Sequence, residues 1–321
     1  MAVYTKISTA EIEQYLQKYN LGNFISLTEI VAGIDNSNFI LQTQKGKFIL
    51  TVFESRISQK DLPFFINLKL HLAQKSICCP LPIQDNQGLV ISEIKNKKST
   101  IVTFLNGKTL PNRLDGYYDN ITSKHCFEVG KILAKLHLAA SDFKERRAND
   151  LGIKGFRPLF YRFENLLENY QKDLASEIID NLNFLEKSWN YNLPEAPAHL
   201  DLFPDNVFFD EEQNLSGVID FYFAANDALI YDFAIAVNAW CFDEKNNFDQ
   251  NKFDQIFNGY QTLRNFSDSE KTFLKIALVA AAMRFLLTRL NDMFFTPENS
   301  YVNIKNPQEY LAKLRFFKSK I

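Results

Sequence analysis

The hydrophobic pattern of this chain changes character near residue 105, and this change limits the folds that the chain can adopt. Before it, five short runs rich in β-branched and aromatic residues are separated by turn signals such as Lys45-Gly46, which is typical of an antiparallel sheet. One helical segment, residues 61–75, lies among them. After it, apolar residues recur at helical spacing. The sequence predicts an α+β fold with a β-rich lobe, residues 1–105, and a mainly helical lobe, residues 106–321.

Capping signals and apolar stripes predict the individual helices. Ser8 and Glu11 form the pattern of a capping box before the first helix. In the second lobe a helix begins near Thr122, and further helices are predicted at residues 158–169, 173–189, 229–242, 249–263 and 268–295. Two short strands, Val207–Phe209 and Gly217–Phe221, are predicted within this helical region.

Charge and hydropathy exclude several classes of partner. Lys and Arg total 36 and Asp and Glu total 38, giving a formal net charge of −2, so the chain lacks the basic field that nucleic acid or an anionic membrane would attract. Residues 276–283 form an apolar stretch far shorter than the ~20 residues of a membrane span, and residues 1–14 hold no signal-peptide run. We expect a cytoplasmic protein whose partner is a small molecule or another protein.

One motif in the second lobe carries recognisable chemistry. His199, Asp201 and Asn206 follow the spacing H-x-D-x-x-x-x-N, and a predicted hairpin leads from them to Asp220. In phosphoryl transfer, one carboxylate meets the substrate hydroxyl, while an amide oxygen and a second carboxylate hold Mg²⁺ against the nucleotide phosphates. Asp and Asn are also common in turns and caps. The coincidence of three spaced elements with a loop and a hairpin favours the kinase interpretation.

These residues in this order resemble the aminoglycoside-phosphotransferase and choline-kinase group, which has the protein-kinase-like fold. Phrases along nearly the whole chain also resemble the bacterial homoserine kinases of this fold: MAVYTKIS, GIDNSNFIL, KFILTVFE, DLPFF, IVTFLNGK, LFPDNVFF, IDFYFA, NAWCF and RFLLTRL. Each phrase is weak alone, and together they are specific. The resemblance implies a two-lobed kinase that uses ATP and Mg²⁺ to phosphorylate the side-chain hydroxyl of L-homoserine, a step in threonine biosynthesis.

The resemblance implies roles for residues around the motif. Asp201 becomes the base that orients the substrate hydroxyl and accepts its proton, and Asn206 and Asp220 become the Mg²⁺ ligands. His199 corresponds to the structural histidine that supports the catalytic loop. Phe208 falls where an apolar side chain forms the floor of the adenine site, although an ordinary core position explains it nearly as well.

Nucleotide contacts from the first lobe are implied by position. The turn from Gly33 to Asn38 stands where the phosphate-covering loop would lie; Gly33 allows close backbone approach, and Ser37 and Asn38 can donate to phosphate oxygens. Without the G-x-G-x-x-G pattern, the same residues also suit a simple hairpin turn. Phe104 and Leu105 resemble the end of the hinge whose backbone pairs with adenine, and a buried strand is the alternative.

The first lobe departs from the kinase pattern at one position. Where kinase-like folds usually present a lysine to the phosphates, this chain has Thr51, which cannot neutralise phosphate charge. Arg56, Lys60 and Lys47 are the candidate replacements, unless Mg²⁺ carries more of the neutralisation.

Homoserine would present a carboxylate, an ammonium and a hydroxyl, so its site needs a cation, an anion and a base. Arg284 and Arg289 point about 140° apart on their helix at roughly 100° per residue, and Arg284 is our candidate for the carboxylate. Asp205, beside the base, and Asp227, shortly after Asp220, are the candidates for the ammonium. Each of these three residues could instead belong to a buried ion pair between helices.

Two alternative functions remain open at this point. One is a kinase for another small hydroxyl compound, such as choline, an amino sugar or methylthioribose. The other is a pseudokinase that binds nucleotide without turnover. The presence of Asp201 together with Asn206 and Asp220 argues against the pseudokinase, because a binding module has no need of a base.

Overall fold

The computed structural model describes residues 4–30, 36–54, 58–110, 118, 120–297 and 304–321. The chain divides into two compact units, residues 1–106 and 107–321. The lobe boundary expected from the sequence, after residue 105, lies one residue from this division. The assignment of nucleotide binding to the first unit and of catalysis to the second stays a prediction.

The first unit is a five-stranded antiparallel sheet with two helices. In chain order it contains helix α1 (Thr9–Leu16), strands β1 (Phe24–Ile30), β2 (Asn36–Thr43) and β3 (Gly46–Phe53), helix α2 (Leu62–Gln74), and strands β4 (Ser92–Ile94) and β5 (Lys97–Thr103). The strands lie in the order β1-β2-β3-β5-β4, and every neighbouring pair is antiparallel. The five predicted strands and the predicted helix at residues 61–75 agree with these elements.

One face of this sheet is covered by α1. The helix starts at the predicted capping box, in which the Ser8 side chain accepts from Glu11 N and the Glu11 carboxylate accepts from Ser8 N at 2.8 Å. Its buried face shares one hydrophobic cluster with the strands, formed by Ile12, Tyr15, Leu16, Phe39, Leu41, Leu50, Val52 and Ile101. Because side chains alternate along a strand, Thr51 points to the face opposite Leu50 and Val52.

The second unit is mainly helical and has two short two-stranded sheets. In chain order it contains α3 (Ser123–Ala140), α4 (Ile153–Phe160), α5 (Glu164–Tyr170), α6 (Leu174–Ser188), β6 (Glu195–Ala198), β7 (Val207–Phe209), β8 (Leu215–Val218), β9 (Ala225–Ala228), α7 (Leu229–Trp240), α8 (Gln250–Gln261), α9 (Asp268–Phe295) and α10 (Pro307–Lys318). Strand β6 pairs with β9 and β7 pairs with β8, both antiparallel.

Some predictions for this unit were wrong. The helix expected at residues 158–169 is two helices, α4 and α5, because the chain leaves helical hydrogen bonding at residues 161–163. Pro158 lies inside α4 rather than in the first turn of a helix. The strand expected at Gly217–Phe221 ends at Val218. Strands β6 and β9 and helix α10 had no counterpart in the sequence analysis.

Close packing of helices builds the frame that holds the site. Helix α9 packs against α10, α7 and α4, and α3 packs against α8. At the α3–α8 contact, a Cβ on Gly130 would lie 2.0 Å from the Ile256 carbonyl oxygen, and one on Gly259 would lie 2.0 Å from that of Phe127, so this approach requires glycine. Within the described ranges, no helix is both long enough and apolar enough to cross a membrane.

Candidate active site

The loop between β6 and β7 carries the sequence motif and contains a strained residue. Leu200 has a φ of 60°, a left-handed conformation that is uncommon for a bulky side chain. Its N–H donates to Asp232 Oδ1 at 2.8 Å, and its carbonyl oxygen accepts from Arg284 Nη1. Side chains of α7 and α9 therefore hold the backbone immediately before Asp201.

Asp232 fixes the start of this loop from the buried face of α7. Its Oδ2 accepts from the backbone N–H of His199 and from His137 Nε2, both at 3.0 Å. Burial alone would raise the pKa of Asp232, but the bond and charge of His137 and the bond from the Leu200 backbone hold it below the usual range. The group stays ionised, as a carboxylate that accepts three donors should.

His199 connects two segments of the motif. Its Nδ1 accepts from the Asp201 N–H at 3.2 Å, so the proton lies on Nε2, which donates to the Ile219 carbonyl at 2.9 Å. Burial lowers the pKa of His199, which favours this neutral form. The residue after Ile219 is Asp220, so one imidazole orients both carboxylate-bearing segments.

Asn206 lies beside Asp201 and keeps its side-chain oxygen for a ligand. Its Nδ2 donates to the Asp201 carbonyl at 2.8 Å and approaches Asp201 Oδ2 at 3.3 Å, which leaves Oδ1 as the atom for a cation. The β7–β8 hairpin returns the chain so that Ile219 N donates to the Asn206 carbonyl at 2.9 Å. This places Asp220 next to Asn206, and an amide oxygen with a carboxylate suits a hard cation such as Mg²⁺.

Asn206 and Asp220 together offer few ligand atoms for a metal ion. No group of three or more His, Cys, Asp or Glu side chains suited to a metal ion occurs in the described part of the chain. Mg²⁺ keeps several waters and is commonly bound by one or two carboxylates together with substrate phosphates. Asn206 and Asp220 therefore fit Mg²⁺ that arrives with a nucleotide better than a metal held by protein alone.

Arg284 is a buried cation next to two aromatic rings. It is 2% exposed, and its guanidinium lies 4.8 Å from the ring centroid of Phe285 and 5.6 Å from that of Phe223. Among the residues that the structure describes, no acidic group lies within ion-pair distance of Arg284, and its Nε has no hydrogen-bond partner. The alternative of an interhelical ion pair is therefore not realised for Arg284 in these ranges.

Arg289, on the other face of α9, forms such an ion pair. Its Nη1 lies 2.5 Å from Glu309 Oε2, and Lys313 Nζ lies 2.5 Å from the other oxygen of the same carboxylate. A pocket of about 430 Å³ is lined by these three side chains and by Tyr118 and Phe203. Phe203 belongs to the loop between β6 and β7, so this pocket of mixed charge adjoins the motif. Sequence reasoning missed the pocket because α10 was not predicted.

The two ammonium candidates occupy different parts of the second unit. Asp227, on β9, accepts from Asn149 Nδ2 at 2.6 Å and from Ala228 N at 2.7 Å, and burial raises its pKa. Asp205 lies in the short 3₁₀ turn Pro204–Asn206 beside the hydroxyl of Tyr118, whose pKa is raised by burial and by the Asp205 carboxylate.

In the first unit, Ser37 and Asn38 point in opposite directions. The hydroxyl of Ser37 accepts from the backbone of Thr5 at 3.0 Å and donates to Glu54 at 2.7 Å on the face covered by α1. Asn38 Oδ1 accepts from Thr51 Oγ1 at 2.8 Å on the opposite face. A phosphate contact from the Ser37 side chain would break its bond to Glu54. Gly33 lies outside the described residues.

The basic residues proposed to replace the phosphate-binding lysine do not lie together in the first unit. Lys47 shares the face of Thr51, but its Nζ lies 5.8 Å from the ring centroid of Phe104 at the expected hinge. Lys60 is exposed, and Arg56 lies outside the described residues. Sequence reasoning missed Lys97, which forms an ion pair with Glu54.

The residues expected to contact adenine are half-buried and show no feature specific to a nucleotide. Phe104 and Leu105 follow the end of β5 and are half-buried. Phe208 is half-buried in β7, opposite Gly217 of β8. These placements leave the adenine contacts as predictions.

Comparison with known proteins identifies the family. Residues 26–266 match the model of the phosphotransferase enzyme family. A homoserine kinase of Xanthobacter autotrophicus is 44% identical over 316 residues, which is 98% of this chain and 96% of that protein. The chain belongs to the homoserine kinase family of phosphotransferases. Another member of the homoserine kinase family, from Paramagnetospirillum magneticum, is 42% identical over 321 residues, 98% of this chain and 96% of that protein.

Solved structures support the fold of this homoserine kinase family member. A spectinomycin phosphotransferase in complex with ADP and spectinomycin superposes with a TM-score of 0.69 at 15% identity, covering 98% of this chain and 95% of that one. A microcompartment-associated aminopropanol kinase gives a TM-score of 0.64 at 15% identity, covering 97% of each chain. The predicted α+β kinase-like fold is confirmed.

Proposed function

We propose that this protein transfers the terminal phosphoryl group of ATP to the side-chain hydroxyl of L-homoserine, with Mg²⁺ bound beside the nucleotide. The relationship to homoserine kinases over 98% of the chain is the observation that carries the proposal. The second unit supports it, because Asn206 bonds to the Asp201 carbonyl and to the backbone N–H of Ile219, the residue before Asp220. Arg284, a buried cation, matches an acceptor that carries a carboxylate.

Asp201 is the proposed base. Its carboxylate accepts the proton of the homoserine hydroxyl as the hydroxyl oxygen bonds to the terminal phosphorus, and the bond from that phosphorus to the ADP oxygen breaks. No covalent enzyme intermediate is needed. His199 positions Asp201 through the backbone N–H and keeps the segment before Asp220 in register with it. The chain contributes mainly alignment, which suits phosphoryl transfer.

Asn206 and Asp220 are the proposed metal ligands. Asn206 would use Oδ1, because its Nδ2 is engaged with Asp201. When bound, Mg²⁺ neutralises charge on the phosphates and links them to the protein. Asp220 would supply negative charge, and Asn206 would supply an oxygen dipole.

The nucleotide contacts are proposed from the positions of residues in the family pattern. Gly33 would offer backbone at the phosphates and Asn38 its side chain, while Phe104 and Leu105 would pair through their backbone with adenine. Phe208 would form the apolar floor of the adenine site. For Ser37, the bonds to Thr5 and Glu54 favour a role in holding the start of β2.

The proposed acceptor contacts separate the two charges of homoserine. Arg284 would bind the α-carboxylate, because it is buried with an unsatisfied Nε and no described carboxylate partner. Asp205 or Asp227 would bind the α-ammonium. A buried guanidinium without an anion is costly, so a ligand carboxylate would return interaction energy at this position.

An acceptor panel tests the proposal. Purified protein with Mg-ATP is assayed for ADP release on L-homoserine, choline, an aminoglycoside and methylthioribose, with Asp201→Asn as the blank. We expect the highest kcat/KM on homoserine, with phosphate found on its side-chain oxygen. A higher kcat/KM on another acceptor would mean that this other compound, and not homoserine, is the substrate. Nucleotide binding without turnover on any acceptor would favour the pseudokinase.

A further inference from the structure

The hydroxyl of Tyr310 is a buried polar atom that no interaction within the described residues satisfies. Tyr310 lies on α10 with 0% exposure, and its oxygen has no hydrogen-bond partner in the described ranges. Buried hydroxyls are paired in the large majority of cases, because leaving one unpaired costs free energy. A bound polar ligand would supply the missing partner.

Ring contacts place Tyr310 beside the catalytic loop. Its ring centroid lies 5.1 Å from that of Phe285, and Phe285 lies 4.9 Å from Phe203, two residues after Asp201. The Arg284 guanidinium lies 4.8 Å from the same Phe285 ring. One phenylalanine thus connects Tyr310 and Arg284 with the catalytic loop.

Electrostatic effects support this placement. Burial and the Glu309 carboxylate raise the pKa of Tyr310, the Asp201 carboxylate raises it further, and Arg289 and Arg284 act in the opposite direction. The hydroxyl therefore lies within the influence of both the proposed base and the proposed carboxylate-binding arginine. Within the pH range of function it is protonated and able to donate a hydrogen bond.

The charge around Tyr310 favours an anionic ligand. Arg289 and Lys313 lie over its ring, at 4.4 Å and 4.5 Å from the centroid, and both are paired with the single carboxylate of Glu309. This group has two positive charges and one negative charge. Arg284 adds a third cation and Asp201 adds a second carboxylate, so the charges near Tyr310 sum to one net positive charge. The Nε–H of Arg284 is a second buried donor without a described partner. A phenol O–H and a guanidinium N–H that both lack acceptors are complementary to a carboxylate.

We propose that the hydroxyl of Tyr310 donates a hydrogen bond to the α-carboxylate of the acceptor, together with Arg284. Tyr310 is then a specificity-determining residue that favours amino-acid acceptors over amino alcohols. This inference rests on the proposed function, because it assumes homoserine as the acceptor. It assigns to α10 a part in substrate choice in addition to its part in the core.

The variant Tyr310→Phe tests the inference because it removes only the hydroxyl. We expect kcat/KM for homoserine to fall about tenfold or more, as for a lost hydrogen bond to a charged group, while KM for ATP stays within twofold. With 3-aminopropanol, the decarboxylated analogue, the variant and the wild type should behave alike. Where turnover of that analogue is too slow, its inhibition constant against homoserine is compared instead.

Stability separates a binding role from a structural one. Tyr310→Phe should unfold at the same temperature as the wild type or a higher one, because the hydroxyl has no described partner to lose. The matched control is Tyr15→Phe in the first unit, whose hydroxyl contacts Tyr19 at 3.1 Å and Ser99 at 2.9 Å. That control should unfold at a lower temperature and keep the preference for homoserine over 3-aminopropanol.

The possible failures are distinguishable. A wild type that does not phosphorylate homoserine contradicts the proposed function. A wild type active on homoserine with an unchanged kcat/KM in Tyr310→Phe overturns only the role of Tyr310. Equal losses on homoserine and 3-aminopropanol would also overturn it, because the lost contact would then not involve the carboxylate.

Discussion

At the scale of single residues, Asp201 is held by its backbone: its N–H bonds to His199 and its carbonyl to Asn206. Asp201→Asn should therefore keep the fold and nucleotide affinity, while kcat falls at least ~10²-fold because the amide cannot accept the hydroxyl proton. Steady-state kinetics, with thermal unfolding as the check on folding, measures this. Turnover within a few-fold of the wild type would remove Asp201 from the role of base.

The proposed metal ligands differ in charge, and their variants should differ accordingly. Asp220→Ala should lose Mg²⁺-dependent activity more severely than Asn206→Ala, because a carboxylate supplies charge as well as an oxygen. Asn206→Ala also removes the Nδ2 bond to the Asp201 carbonyl, so part of its loss should persist at saturating Mg²⁺. Rates are titrated with Mg²⁺ for both variants; small and equal effects would place the metal elsewhere.

Arg284 and Arg289 form a natural comparison on one helix. Arg284→Lys should lower kcat/KM for homoserine strongly, because an ammonium cannot reproduce the planar fork that contacts the Leu200 carbonyl and would contact the proposed substrate carboxylate as well. Arg289→Lys should affect stability more than substrate preference, because its partner is Glu309. Kinetics on homoserine and 3-aminopropanol separates them. If only Arg289→Lys lost the preference for homoserine over 3-aminopropanol, the carboxylate would have to bind in the pocket lined by Arg289 and Lys313.

Sequence reasoning reached some of these residues and could not reach others. The spacing of His199, Asp201 and Asn206 predicted that they lie on one loop. The structure brings them together, because residues so close in sequence can form hydrogen bonds to one another's backbone within a loop. Because neighbouring side chains of a strand point to opposite faces of the sheet, the sequence could already have shown that Ser37 and Asn38 do not face the same ligand. Tyr310 gave no signal, because whether a tyrosine hydroxyl finds a partner depends on tertiary packing.

At the scale of elements, α7 fixes the catalytic loop. Asp232 accepts two backbone N–H groups from it, and Trp240 Nε1 donates to the Leu202 carbonyl at 2.8 Å. Asp232→Asn should lower the free energy of unfolding by about 2 kcal/mol or more, because an amide replaces a charged acceptor of three donors. It should also lower kcat, because the backbone before Asp201 loses its support.

A second buried carboxylate provides the control for Asp232. Glu270 is 0% exposed, caps α9 and pairs with Arg264 at 2.9 Å, with no described contact to the catalytic loop. Glu270→Gln should lower stability with little change in kcat below its unfolding temperature. Chemical denaturation and kinetics are measured for both variants. An equal effect on kcat would mean that Asp232 acts only through global stability.

The elements that sequence reasoning missed were missed for different reasons. Strand β6 has the sequence EAPA and β9 has ANDA, neither of which favours a strand, so their pairing depends on tertiary contacts. Helix α10 carried a readable signal, since Asn306 precedes Pro307 and its side chain caps the helix. The division of residues 158–169 was not readable, because Pro158 is tolerated inside α4.

At the scale of the whole molecule, family membership was readable and acceptor recognition was not. Short phrases in order along the chain resembled homoserine kinases, and identities of 44% and 42% over nearly the full length bear this out. The proposed acceptor contacts, Arg284 and Tyr310, lie on α9 and α10, whose relation to the loop between β6 and β7 is set by packing. A protein with the same fold is named as an aminopropanol kinase, and aminopropanol has no carboxylate. The fold alone therefore does not determine whether the acceptor carries a carboxylate.

The most direct test is the ratio of kcat/KM for L-homoserine to that for 3-aminopropanol, measured for the wild-type protein with saturating Mg-ATP. These acceptors share the hydroxyl and the amine and differ only in the carboxylate. Losing one partner of a buried charged pair typically costs ~2–5 kcal/mol, so we predict a ratio of about 30 or more. A ratio near one would contradict carboxylate recognition, and no phosphorylation of homoserine would contradict the account as a whole.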